Sequence, residues 1–160
     1  MIEKKENGGE IMTLRILVPT DGSKTAQKAA RFAVDLAKRL HASIIVLSVI
    51  DKHSLISQTV PARSTPMHVA ESVEDYLREA AEEYNGEIRK LCEKKGVRSK
   101  TVITTGHPVE DIVKEAERSK ASLIVMGSHG ESALAAAVLG SVTYGVIHKD
   151  TKIPILVVRR

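Results

Sequence analysis

The sequence predicts a single α/β domain, a doubly wound, Rossmann-like sheet of five mainly parallel strands flanked by helices. Three observations carry this expectation: short apolar runs recur along the 160 residues, segments of helical periodicity separate them, and turn-forming residues stand at the junctions. A chain of this length supports one core, and 42% hydrophobic with 28% charged residues is the balance of a globular protein.

Residues 1–13 contain Gly8-Gly9 and no apolar periodicity, so they are expected to be a flexible tail, leaving residues 14–160 as the domain. Leu14, Ile16, Leu17 and Val18 read as a buried strand ending at Pro19. The turn Thr20-Asp21-Gly22-Ser23 then leads into a helix with Ala26, Ala29, Ala30, Ala33, Leu36, Ala37 and Leu40 on one face. Its small residues permit close packing on a sheet. The run from Ser43 to Val49 is too continuously apolar for a half-exposed strand, which places it inside a parallel sheet and demands a crossover connection. Residues 52 to about 69 hold Pro61 and Pro66 and are expected to be a long loop, whether lid, interface or disordered segment.

From about Ala70 to Lys95, Val73, Tyr76, Leu77, Ala80, Ala81, Tyr84, Ile88, Leu91 and Cys92 trace one helical face that Gly96 closes. A strand at about Lys100–Thr104 passes through Gly106-His107-Pro108 to a short helix with Val109, Ile112, Val113 and Ala116 inward; Pro108 suits a first turn. The last two strands are predicted at Ser122–Met126 and Ile155–Val158.

Composition narrows the function. Aromatics are 2% of the chain and Trp is absent, so stacking platforms for single-stranded nucleic acid are scarce. The net charge of +4 is spread over helices that carry acids and bases together, which reads as solvated faces rather than a polyanion surface. Cys92 lies on an apolar stripe and reads as a buried thiol in a reducing compartment. No apolar run approaches the ~20 residues that span a bilayer. The first residues do not have the pattern of a signal peptide, and the cytoplasm is the expected location. His41, His53, His68, His107 and His148 are scattered without metal-ligand spacing, so no protein metal site is expected. Glu110 and Asp111 fall in a first helical turn, where acids offset the helix dipole.

The chemistry concentrates after the fourth strand, in Met126-Gly127-Ser128-His129-Gly130, nine further residues, and Gly140-Ser141-Val142-Thr143 at the start of the last helix. Glycine admits positive φ and lets a ligand reach main-chain N–H groups without a Cβ in the way. A helix start beside those glycines favours a phosphate, to which Ser141 and Thr143 would add hydroxyl donors. Neither a P-loop nor a G-x-G-x-x-G fingerprint is present. Asp21, at the first turn, suits a ribose or base hydrogen bond, although Asp is equally favoured there as a local cap. His129 lies within the loop, with no orienting carboxylate evident in the sequence.

Ile16-Leu17-Val18-Pro19-Thr20-Asp21-Gly22-Ser23, Val49-Ile50-Asp51 and Gly127-x2-Gly130-x9-Gly140-Ser141 together resemble the universal stress protein family, over about residues 14–158. The resemblance implies an adenine nucleotide alpha hydrolase-like fold. It also implies ATP, or AMP or ADP, with Mg²⁺ or Mn²⁺ held through the phosphates. In that reading Pro19, Thr20, Asp21 and Val49 frame adenine and ribose, Met126, Gly127, His129 and Gly130 line ribose and the first phosphate, and Gly140, Ser141, Val142 and Thr143 hold the phosphate chain. It further implies a homodimer through Ile155, Leu156, Val157 and Val158. Some family members bind ATP and others do not; the intact glycine spacing resembles the binding branch. The expected function is a nucleotide-binding regulatory or stress-response module with slow or no hydrolysis. The alternatives are an ATPase or nucleotidyl-transfer enzyme, or a nucleotide-free interaction module.

Overall fold

The structure is a computed structural model that describes residues 13–53, 67–130 and 139–159, with only the backbone of 67–72. The expected tail apart from Thr13, and residues 54–66 of the expected loop, lie outside the described residues. The chain runs β1 (Arg15–Pro19), α1 (Lys24–Leu40), β2 (Ser43–Asp51), α2 (Met67–Lys95), β3 (Ser99–Gly106), α3 (Pro108–Arg118), β4 (Leu123–Gly127), α4 (Ser141–His148) and β5 (Ile155–Val158).

The five strands form one sheet in the order β3-β2-β1-β4-β5, and every neighbouring pair is parallel. Alternation along each strand divides the core between two faces. Ile16, Val18, Ile44, Val46 and Val125 pack with Ala29, Ala30, Ala33, Val34 and Ala37 of α1 and Ile88 and Cys92 of α2. Leu17, Ile45, Leu47, Ile124 and Met126 pack with Ile112 and Ala116 of α3 and Val146 of α4. Strands covered on both faces must be apolar throughout, which is why β1 and β2 carry almost no alternation in sequence. Each such Leu, Ile or Val contributes about 1.5–3 kcal/mol by leaving water.

The alanine stripe of α1 brings that helix down onto β1 and β4, as its small side chains allow. Leu40 and Tyr76 depart from their predicted inward faces, at 47% and 70% exposure. Leu40 is the last residue of α1, just before His41 turns the chain in the left-handed region at φ 53°. Tyr76 lies off the face of α2 that carries Ala81, Asn85, Ile88 and Cys92 inward. Met67–Val69, expected in the loop, begin α2, and β2 and β3 each run two residues beyond the predicted ends. Burial of Cys92 pushes its thiol pKa up, which keeps the sulfur in its less reactive protonated form. Among the described residues no helix is long and apolar enough to cross a membrane.

Candidate functional site

After β1 the chain winds toward β2 and β3, and after β3 it crosses to β4 on the other side of β1. The loops leaving β1 and β4 therefore diverge and open a crevice at the strand carboxyl ends, the ligand position of such sheets. On the β1 side, the Thr20 N–H donates to the Leu47 carbonyl at 2.9 Å and keeps the turn in line with β2. The Gly22 N–H donates to Thr20 Oγ1 at 3.2 Å and the Ser23 N–H to Asp21 Oδ1 at 3.0 Å. Ser23 then caps α1 by accepting from the Ala26 N–H at 3.2 Å. Gly22 sits at φ +80°, and a Cβ there would lie 2.7 Å from the Tyr84 ring. Both facts favour glycine there over any residue with a side chain.

On the β4 side, close approach to backbone is what favours glycine at Gly127 and Gly140, while at Gly130 the neighbour is the movable end of the Asp21 side chain. A Cβ on Gly127 would stand 2.9 Å from the Thr25 carbonyl carbon, one on Gly130 2.7 Å from Asp21 Oδ2, and one on Gly140 3.2 Å from the His129 Cα. Positive φ, the other expected reason, does not apply to these three; among described glycines it occurs at Gly22 and Gly96. The two glycine clusters touch backbone to backbone, since the Gly140 N–H donates to the Ser128 carbonyl at 2.8 Å. Thr143 Oγ1 donates to the Gly127 carbonyl at 2.9 Å, the Thr25 hydroxyl donates to the His129 carbonyl, and the Ser128 N–H donates to the Val158 carbonyl at 2.9 Å. The Ser128 hydroxyl lies 2.8 Å from His129 Nδ1. Thus α1, β4, α4 and β5 all hold the loop at Gly127–Gly130.

The helix starts at this end of the sheet are finished differently. Ser23 caps α1, and α3 carries Glu110 and Asp111 in its first turn. By contrast α4 begins at Gly140 with no side-chain cap and no acid in its first turn. Its ladder opens with the Tyr144 N–H donating to the Gly140 carbonyl at 2.9 Å, so the amides of Ser141, Val142 and Thr143 precede it. Such a terminus attracts an anion by both hydrogen bonding and dipole.

The remaining predicted residues surround this point. Asp21 is exposed, with one carboxylate oxygen in its own turn and the other beside Gly130. Val49 and Val142 are half-buried against the α3–α4 core and form an apolar wall with Val109. Pro19 is buried beside Leu47 in register. The Met126 side chain belongs to the core at 4% exposure, which leaves its main chain for the crevice. The Thr143 hydroxyl, expected as a phosphate donor, is 4% exposed and commits its proton to Gly127. Ser141 is exposed. His53 and His107 stand over the ends of β2 and β3 with ring centroids 5.1 Å apart. Near the same end, the Thr105 hydroxyl donates to Glu74 Oε1 at 2.6 Å and, with Arg78 at 3.3 Å, holds the Glu74 carboxyl below its ordinary pKa. Among the described residues, no group of three or more His, Cys, Asp or Glu is placed to hold a metal ion.

Asn85 is a supporting residue that sequence reasoning missed. It is 1% exposed on α2, its Oδ1 lies 2.8 Å from Ser48 Oγ, and Ser48 Oγ lies 3.2 Å from the Thr20 carbonyl. In that orientation the Nδ2 group is buried without a partner. Turning the amide lets Nδ2 donate to Ser48, whose proton then goes to Thr20, and no buried donor is orphaned. The signal was present as one amide on the Ala81, Ile88, Cys92 stripe.

Comparison with known proteins identifies the family and the fold. Residues 12–159 match the model of the universal stress protein family. The chain is 39% identical to universal stress protein MJ0577 of Methanocaldococcus jannaschii, covering 94% of this chain and 97% of that one. It is 35% identical to MJ0531 of the same organism, covering 95% and 85%. The solved structure of MJ0577 superposes with a TM-score of 0.76 over 94% of this chain and 98% of that one. The fold is also that of a universal stress protein from Archaeoglobus fulgidus solved in complex with dAMP, at 20% identity, a TM-score of 0.60 and coverage of 92% and 99%. A doubly wound sheet, paired glycine clusters beside an uncapped helix start, and a family match over nearly all of its length leave one assignment: the chain belongs to the universal stress protein family.

Proposed function

We propose that this protein binds an adenine nucleotide, ATP or its AMP and ADP relatives, in the crevice between β1 and β4, and works as a regulatory module with slow or no hydrolysis. The observation that carries the proposal is the start of α4, whose uncapped amides lie against Gly127–Gly130. In this reading Gly140, Ser141, Val142 and Thr143 hold the phosphates, Thr143 through its main chain. Gly127, His129 and Gly130, with the Met126 main chain, line the ribose and first phosphate. Pro19, Thr20 and Val49 frame the base, and the Asp21 carboxylate accepts from ribose or base. Mg²⁺ or Mn²⁺ would enter with the phosphates. The binding of dAMP by a relative of the same fold is in keeping with this chemistry. The reading places the protein in the cytoplasm as a homodimer paired through β5, an apolar edge strand with β4 on one side only.

Ser141→Asp tests the cradle. An acid in the first turn of α4 suits the helix dipole and repels phosphate, so calorimetry is expected to find ATP binding weakened tenfold or more while Tm holds or rises. Unchanged affinity in this folded variant rejects the proposal. Fast steady-state ATP turnover that His129→Ala abolishes would instead establish the enzyme alternative.

A further inference from the structure

The opposite end of the sheet holds an open pocket of about 600 Å³, whose lining includes Arg15, Arg98, Ser99, Lys100, Arg118 and Lys120. Five of those residues are cations, supplied by β1, β3 with the residue before it, and the end of α3. Among the described residues Glu115 is the acid that meets them, with Oε2 clamped by Arg118 and Oε1 buried without a hydrogen-bond partner. Arg118 clamps Glu115 Oε2 through Nε at 2.8 Å and Nη2 at 2.7 Å, and Lys100 Nζ lies 3.8 Å from Oε1. Arg15 is held in place by donating from Nη1 to the Ser119 carbonyl at 2.8 Å. The exposed side chains of Arg98 and Lys120 have no ion-pair partner among the described residues.

Helix dipoles alone do not account for this charge. The carboxyl ends of α1, α2 and α3 all lie at this end of the sheet, each worth about half a negative charge. However, α1 and α2 already carry Lys38, Arg39, Lys94 and Lys95 in their last turns. Even if all three ends and Glu115 are set against the lining cations alone, roughly two to three positive charges remain uncompensated among the described residues. Lys120 adds a second sign. It follows the end of α3 at φ +52°, in the left-handed region where glycine is the favoured residue.

We propose that this cavity is a second anion site, distinct from the crevice at the other end, for a compact anion carrying two or more phosphate groups. Its size lies within the range of small-ligand pockets. Arg15 and Arg118 are held in place and each keeps guanidinium N–H groups beyond those given to Ser119 and Glu115, two further cations are available, and Ser43 adds a hydroxyl, whereas the Ser119 hydroxyl donates to the Ala116 carbonyl at 3.3 Å. Among the described residues the lining has no aromatic ring, so it offers no platform for a base. The ligand chemistry is that of an oligophosphate rather than a nucleoside.

Titration of the ¹⁵N-labelled full chain with tripolyphosphate in 150 mM NaCl tests this. Saturable shifts are expected at the amides of Ser99, Lys100, Lys120 and Ala121. Arg98→Gln and Lys120→Gly should each weaken that response about tenfold. Lys120→Gly also relieves the left-handed backbone, so its Tm should hold or rise by about 2 °C, which separates lost binding from lost folding. Unmoved amides at this end, shifts that both variants retain, or tighter binding per phosphate of a single-stranded oligonucleotide would each overturn the proposal. The amides of Gly127, Gly130, Gly140 and Val142 report the nucleotide crevice in the same spectra, so either site can fail without the other.

Discussion

In the two readings proposed above, the ends of the sheet would hold negative charge by opposite means. At the strand carboxyl ends, Gly127 and Gly140 bring main chain against main chain beside a helix start that has no side-chain cap. At the amino ends, long cationic side chains ring a cavity beneath helix ends of the wrong polarity for an anion. The first arrangement depends on backbone approach within a few tenths of an ångström; the second depends on charge number. Backbone sites should therefore break on adding a methyl group, and side-chain sites on adding salt.

The largest expected effect is at Gly127. Its missing Cβ would press on the backbone of Thr25 and Ala26, which has no flexible end to move aside. Gly127→Val should destabilise the fold by about 3 kcal/mol, lowering Tm by roughly 6–12 °C in thermal denaturation. Arg98→Ala at the other end should shift stability by no more than about 0.5 kcal/mol. Next comes ionic strength. Between 50 and 200 mM NaCl, tripolyphosphate at the cation cavity should weaken roughly tenfold and ATP at the amide crevice about twofold, since screening acts most on exposed charges. Equal slopes by calorimetry would erase the distinction.

A smaller effect should follow Asn85→Leu. The buried volume is roughly kept while Ser48 loses the partner that fixes the Thr20 turn, so ATP affinity should fall about fivefold with a stability change near 1 kcal/mol. An unchanged affinity would show that the turn holds itself. The smallest effect concerns acid. Glu74 has its folded pKa lowered chiefly by the Thr105 hydroxyl, so its contribution is present above the ordinary value of 4.5 and is lost as pH falls through the folded value. Thr105→Val should bring that loss to higher pH, by a few tenths of a kcal/mol because the Glu74 side chain is 36% exposed. Acid titration by circular dichroism reads the change.

Much of the crevice was legible in the chain. The Gly127, Gly130 and Gly140 spacing marked the β4 loop, and Ser23 and Pro108 marked two helix starts, because caps and turns are chosen by local chemistry. The cation cavity was not legible. Arg15, Arg98, Lys100, Arg118 and Lys120 are spread over more than 100 positions and individually read as solvated charges. Asn85 was hidden for a related reason, since its partner Ser48, and the Thr20 carbonyl that Ser48 meets, are distant in sequence.

Periodicity and turn chemistry determined the elements: apolar runs had to become covered strands, and the alanine stripe had to become a close-packing helix, because each follows from neighbours within a turn or two of chain. Only the tertiary structure decided the order β3-β2-β1-β4-β5, and with it which loops part to make a crevice and which cations meet at the opposite end. Strand order arises from crossovers between distant segments, and no local preference encodes how remote charges or amides will converge once those crossovers are made.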